Sequence, residues 1–274
     1  RCSRDWSSDV CSSDLIRVAG MQFEFPAPLE VEAGLNEIVK RIPDVELIVL
    51  SEYTFDGPIP ERIKAWCRQH RKYLVAGGKE AVSEARWFNT VFVVGPAGEV
   101  VFSQAKSVPI QFFKDGLPAR EQRLWDSPWG KLGIAICYDL SYTRVMDRLA
   151  RLGAQGLIVP TMDVQDWGDY QHQLHARIAP ARAAEYGLPI FRVASSGISQ
   201  LVDAGGRVIA SAGCPGQGEI LAGTWRLAPA PRLPWDRWLA PISVAITALW
   251  GLGVIVWAKA RGGWAGRGFV SANG

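Results

Sequence analysis

Runs of apolar residues with no alternating polar position recur along this chain and limit its fold more than any other feature. LIVL at 47–50, TVFVVG at 90–95, KLGIAIC at 131–137 and GLIVP at 156–160 are the clearest. A strand with one face in water alternates apolar and polar residues, whereas one that is apolar at successive positions is covered on both faces. IRVAGMQ (16–22), YLVAGG (73–78), VVFSQAK (100–106), PIFRVAS (189–195), RVIASA (207–212) and EILAGTW (219–225) complete the expected strands. Between them, apolar spacing predicts helices over Leu29–Arg41, Pro60–His70, Tyr142–Leu152 and Tyr170–Glu185, the last kinked or divided at Pro180. Gly95–Gly98 and Asp203–Gly206 read as turns between paired strands. The chain is therefore of α/β class, with sheets clad by helices.

Composition narrows the function. With 48% hydrophobic and 21% charged residues, the chain is neither disordered nor a coiled coil nor collagen-like. A net charge of +3, from 30 basic and 27 acidic residues, makes no dense basic face for nucleic acid. Five cysteines without a C-x-x-C pair or a Cys/His cluster imply neither a disulfide scaffold nor a metal site. No Gly-x-Gly-x-x-Gly fingerprint occurs, so neither a nucleotide nor a flavin cofactor is implied.

The two ends depart from the rest. Residues 1–15 carry Ser-Ser-Asp twice and no periodicity; Asp5 to Leu15 resemble one reading frame of a sequencing-library adapter. They read as a non-native scar that interrupts a longer natural N-terminal region. Residues 16–237 form one expected domain. Trp238–Ala258 is uncharged throughout and, as a helix, would span about 30 Å, one hydrocarbon core. Trp235, Trp238, Trp257 and Trp264 flank it as interfacial belts do. A single transmembrane helix is expected there, followed by a tail over 259–274. Basic residues precede and follow it, so charge does not orient it.

Three polar residues stand where apolar strands end: Glu52 after LIVL, Lys106 closing VVFSQAK and Cys137 closing KLGIAIC. Side chains at the ends of buried strands converge on clefts. There Glu52 would take the thiol proton, Cys137 would attack a carbonyl and Lys106 would stabilise the oxyanion. A helix starting after Cys137 would lower the thiol pKa, and the Tyr138 backbone N–H would be a second oxyanion donor. Taken singly, each has a plainer reading: a buried core thiol, a loop cap, a solvated strand terminus.

Glu in LIVLSEY, Lys in SQAKSVP and Cys in GIAICYD, followed by RIAPARAAEYGLPIFRVASSGIS (177–199), resemble the nitrilase (carbon–nitrogen hydrolase) superfamily over about Ile16 to Trp225. The resemblance implies an αββα sandwich that pairs with a second copy, with Glu52 as general base, Lys106 as oxyanion stabiliser and Cys137 as nucleophile. A domain of this kind followed by PRLPWDRW and a membrane helix is most similar to the apolipoprotein N-acyltransferase branch. That branch implies acyl transfer from a phospholipid, through a Cys thioester, to a lipoprotein amine. It also implies a catalytic domain on the outer side of the cytoplasmic membrane. One departure stands out. The family's second Glu belongs in a Pro-Phe-Gly-Glu-Tyr type segment, and here the stretch is Pro109-Ile-Gln-Phe-Phe113. Phe112 lies near the Glu position; Asp115 and Glu121 follow without a motif to mark either as its replacement.

Asp163, Trp167 and Ser195 are expected to contact substrate, Trp167 as a cleft wall or lid; a surface loop shielding the core is the alternative for the Asp163–Trp167 stretch. His172 and His175 read as helix-surface residues, Arg192 as a structural ion-pair partner, and Cys67 and Cys214 as structural thiols. Three functions follow: a membrane-anchored N-acyltransferase, an anchored amidase acting on a small amide, and a silent binding module with the same fold.

Overall fold

The computed structural model describes residues 15–213 and 218–265. Residues 1–14, Cys214 and the stretch beyond 265 lie outside the described residues, and with them most of the expected scar and tail. Leu15, assigned to the scar, is the first residue of β1 (Leu15–Met21) and pairs with Arg226.

Two six-stranded sheets face each other. The first is built from β1, β2 (Leu47–Leu50), β3 (Tyr73–Ser83), β4 (Arg86–Val94), β5 (Val100–Ala105) and β12 (Ile220–Arg226), in the order β12-β1-β2-β3-β4-β5. The second holds β6 (Leu124–Ser127), β7 (Gly130–Ile134), β8 (Gly156–Thr161), β9 (Ile190–Ala194), β10 (Ser199–Val202) and β11 (Val208–Ala212), in the order β11-β10-β9-β8-β7-β6. In each sheet three parallel strands, β1-β2-β3 and β7-β8-β9, are flanked by antiparallel ones. Parallel neighbours need crossovers, and helices supply them. These are α1 (Pro28–Arg41) and α2 (Glu61–His70) on the first sheet, and α3 (Thr143–Leu152), α4 (Gly168–Ala176) and α5 (Ile178–Tyr186) on the second.

The period of two along each strand divides the apolar residues between two cores. Leu47 and Val49 point between the sheets and pack with Val18, Val75, Ile134, Ile158 and Phe191. Ile48 and Leu50, one residue out of phase, pack against Val31, Leu35 and Ile38 of α1 and Ile63 and Trp66 of α2. This is the double cover that the apolar runs require.

The structure adds two strands to those read from sequence, β6 and β10. Each has only four residues, too few for a period to register. The Asp203–Gly206 turn consequently joins β10 to β11 rather than β9 to β11. The β3–β4 hairpin also runs past its apolar part, through exposed residues to Ser83 and Arg86. The expected long helix is divided into α4 and α5 at Arg177, three residues before Pro180. Proline is tolerated in a first helical turn, where backbone N–H groups have no intrahelical partner. After Cys137 the chain makes a five-residue 3₁₀ turn (Cys137–Ser141) before α3 begins.

The chain divides into two units after Arg232. The second contains α6 (Asp236–Ala265), which encloses the expected Trp238–Ala258 span and carries Pro241 in its second turn. Over Asp236–Arg261 it is the one described helix long and apolar enough to cross a membrane, with a mean hydropathy of 2.1.

Candidate active site

The three strand-end residues meet between the two sheets. Glu52 follows β2 in a turn where Tyr53 takes a left-handed conformation, φ 54°. That turn lies so close to β3 that a Cβ on Gly77 would stand 2.6 Å from Tyr53 N and 2.7 Å from Glu52 Cα. Only glycine fits there. Lys106 is the first residue after β5, held by its backbone N–H to Asn89 O at 2.8 Å. Cys137 begins the 3₁₀ turn with φ 49°. A left-handed non-glycine residue costs about 1–2 kcal/mol and marks sites where a side chain must be aimed.

Lys106 Nζ, completely buried, lies 2.8 Å from Glu52 Oε1 and 2.7 Å from Asp115 Oδ2. Asn89 Nδ2 bridges the same two carboxylates, donating to Glu52 Oε1 at 2.6 Å and Asp115 Oδ1 at 2.8 Å. Tyr53 OH and the Ile110 N–H also donate to Asp115, each at 2.8 Å. Asp115, which no motif marked, is thus the second carboxylate of the site. Phe112, near the position where the family's Glu was expected, is instead 92% exposed. Asn89 was missed because it stands just before the apolar run 90–95 rather than closing one.

Met162 connects Glu52 to Cys137: its N–H donates to Glu52 Oε2 at 2.8 Å, and its carbonyl accepts from Cys137 Sγ at 3.8 Å. Burial alone would push the Lys106 ammonium down, but the charges of Glu52, Cys137 and Asp115 outweigh it and hold the value well above that of an ordinary lysine. Burial, then the Glu52 charge, pushes the Cys137 thiol well up, with Lys106 pulling back only in part. The expected lowering by a helix therefore does not occur. The turn is too short for a dipole to outweigh desolvation. The Tyr138 N–H, next in that turn, precedes its first i to i−3 bond, made by Asp139 N to Ile136 O at 2.9 Å. Asp139 ties the turn to the Lys106 loop, accepting from Ser107 N at 3.0 Å, Val108 N at 2.7 Å and Ile136 N at 3.2 Å. Burial pushes its carboxyl up to about 6 despite these bonds.

A cavity of about 710 Å³ opens at Cys137, lined by Phe113, Tyr138, Tyr142, Trp167, Leu174 and His175 among others. Trp167, expected as a cleft wall, is in that wall and packs on Phe113 with ring centroids 6.4 Å apart. Asp163 and Ser195, expected to contact substrate, lie beneath it. Asp163 is fully buried, its oxygens taken by Arg192 Nη2 at 2.6 Å and His175 Nδ1 at 2.7 Å. Ser195 Oγ accepts from Asp163 N at 2.9 Å. Burial would raise the Asp163 carboxyl, but the His175 hydrogen bond and the Arg192 charge outweigh it and hold the value below the ordinary one. Arg192 is the structural ion-pair partner that its apolar strand implied. His172 and His175, read as surface residues, are buried and half-buried instead, because α4 packs this face inward against the 162–164 segment. Cys67 is a buried free thiol with its pKa pushed up to about 12 by burial. Cys214 lies outside the described residues, and among these no metal-binding cluster occurs.

Two facing sheets clad by helices, with Glu, Lys and Cys gathered at the strand ends, define an αββα sandwich of the nitrilase type. The carbon–nitrogen hydrolase family model matches residues 38–224, more than half of the chain, and the chain belongs to that enzyme family. It is 27% identical over 211 residues to an apolipoprotein N-acyltransferase of Brucella melitensis, a match covering 65% of this chain and 38% of that protein. It is also 27% identical over 175 residues to a deaminated glutathione amidase of Dictyostelium discoideum, covering 56% of this chain and 60% of that one. The chain thus spans well under two thirds of the curated acyltransferase it resembles. Among solved structures, a carbon–nitrogen hydrolase from Helicobacter pylori superposes with a TM-score of 0.67 at 20% identity, over 78% of this chain and 90% of that one. An amidase from Nesterenkonia, with the acetamide moiety of fluoroacetamide added covalently at its active-site cysteine, superposes with a TM-score of 0.65 at 20% identity, over 80% and 94%.

Proposed function

We propose that the chain is a membrane-anchored thiol acyltransferase that forms a thioester on Cys137 and passes the acyl group from a phospholipid to the amine of a lipoprotein. The observation that carries this reading is a buried Glu52–Lys106 pair, 2.8 Å apart, beside a left-handed Cys137 that opens into an aromatic and aliphatic cavity. Glu52 takes the proton from Sγ as the sulfur attacks the acyl carbonyl, then returns it to the leaving oxygen. An ammonium has three donors, and two of those on Lys106 face Glu52 and Asp115. The third, with the Tyr138 N–H, serves the tetrahedral oxyanion.

The exposed Phe112 on the cavity rim and the apolar α6 suit a donor drawn from a bilayer. In this reading α6 anchors the enzyme in the cytoplasmic membrane, with the catalytic domain on its outer side. The amidase relatives favour a second reading, hydrolysis of a small amide through the same thioester.

Intact-mass analysis after incubation with phosphatidylethanolamine in detergent tests the assignment. The expected result is an acyl-chain mass on Cys137 that an amine discharges, lost in Cys137→Ser and Glu52→Gln, with Lys106→Ala slowed about 10²–10³-fold or more. An adduct formed only from small amides and discharged by water would move the assignment to the amidase. Full turnover by Cys137→Ser would remove the thiol mechanism altogether.

A further inference from the structure

His175 has the surroundings of a proton acceptor rather than of a packing residue. It lies on α4, on the wall of the cavity that Cys137 also lines. Its Nδ1 is 2.7 Å from Asp163 Oδ1, and Asp163 is itself fully buried and braced by Arg192 Nη2 at 2.6 Å. A carboxylate accepts and does not donate, so Nδ1 carries the hydrogen, and the lone pair of the neutral ring is on Nε2. Nε2 makes no hydrogen bond among the described residues. Glu52, by contrast, is not among the residues that line this cavity, and its oxygens accept hydrogen bonds from Asn89, Lys106 and Met162.

We propose that His175 is a second catalytic residue of this site, the base that activates the acceptor when the Cys137 acyl-enzyme is discharged. This rests on the thioester reading above and holds for an amine or a water acceptor. As the acceptor's nitrogen or oxygen bonds to the thioester carbonyl, its proton passes to His175 Nε2. The C–S bond then breaks, Cys137 leaves as a thiolate beside Lys106, and the proton on His175 returns to that sulfur. Asp163 fixes the ring orientation and stabilises the imidazolium formed in between, and Arg192 keeps Asp163 ionised.

The two halves of the reaction separate the roles. With para-nitrophenyl butyrate as the donor and the detergent-solubilised full chain as enzyme, the first equivalent of nitrophenolate reports acylation. The mass of butyryl-Cys137 then reports discharge by water or by added glycinamide. His175→Asn keeps a side-chain N–H near the Nδ1 position for Asp163 and removes Nε2. It is expected to acylate at close to the parent rate and to accumulate the butyryl-enzyme, with discharge slowed at least about tenfold. His175→Ala is expected to behave alike and to regain discharge on addition of imidazole, which a purely structural role would not allow. Discharge within twofold of the parent in His175→Asn overturns the proposal, as does an equal fall in both halves that imidazole does not restore. Absence of any Cys137 adduct in the parent would overturn the thioester reading as well.

Discussion

At the scale of single residues the site is a balance of buried charges. Lys106 stands between Glu52 and Asp115, all three buried, so each ammonium–carboxylate contact is made where water cannot replace it. Removing one partner of such a pair typically costs about 3–5 kcal/mol, because the other charge is left uncompensated. Asp115→Asn is therefore expected to lower stability by about 3 kcal/mol in urea unfolding. It should also reduce turnover, since Lys106 then faces Glu52 alone. Phe112→Glu should not rescue it: position 112 points to solvent, and its side chain is not part of the Lys106 contacts. Recovery of activity in the double variant would mean that the second carboxylate works from the family's usual position and not from Asp115.

At the scale of elements, Glu52, Lys106 and Cys137 are positioned by the joints between strands and turns. Asp139 holds one such joint, clasping Ser107 and Val108 after β5 to the turn that begins with Cys137. Its carboxyl is raised from an ordinary 3.8 to about 6, so the folded chain binds this proton more tightly than the unfolded one. The stability this provides is complete below about pH 4 and is lost as pH rises through about 6. Asp139→Asn cannot ionise, and its stability should lack this component. From pH 4 to pH 7 the parent should lose up to about 3 kcal/mol more than the variant in urea titrations, where the shared contributions of other groups cancel. Parallel pH dependences would show that the three amide hydrogen bonds, and not burial, govern Asp139.

At the scale of the molecule, the catalytic domain does not end with its last strand. Beyond β12, Leu227 and Ala228 are buried, Ala228 N bonds Gln155 O at 2.8 Å, and Arg232 N bonds Tyr186 O at 2.9 Å. A chain ending after Arg232 should therefore be folded and soluble without detergent. One ending after Trp225 should be destabilised by about 2–5 kcal/mol, the usual cost of emptying a buried leucine site. α6 presents Trp238, Leu249, Trp250 and Val256 on its exposed surface, so the full chain should need detergent. Equal solubility of the full and shortened chains would show that α6 is a packing helix of the soluble state and not an anchor.

What the sequence determined by itself is local in origin. LIVL, GLIVP and their counterparts are apolar at every position because the strands they form are covered on both faces, so α/β class and the positions of the longer or wholly apolar strands are legible from the sequence, while β6 and β10 are not. Glu52, Lys106 and Cys137 were legible for the same reason: each breaks an apolar run at its end. Asp115, Asn89 and the Asp163–His175–Arg192 group had no such signal. Asn89 is 37 residues from Glu52, Asp115 is 26 from Asn89, and Arg192 is 29 from Asp163. Their meaning comes from partners brought close by sheet order and by the crossing of loops between the two sheets. A run of adjacent residues shows which faces must be buried, but which polar groups are buried together is decided only when the sheets close, because an unpaired charge inside costs far more than a paired one.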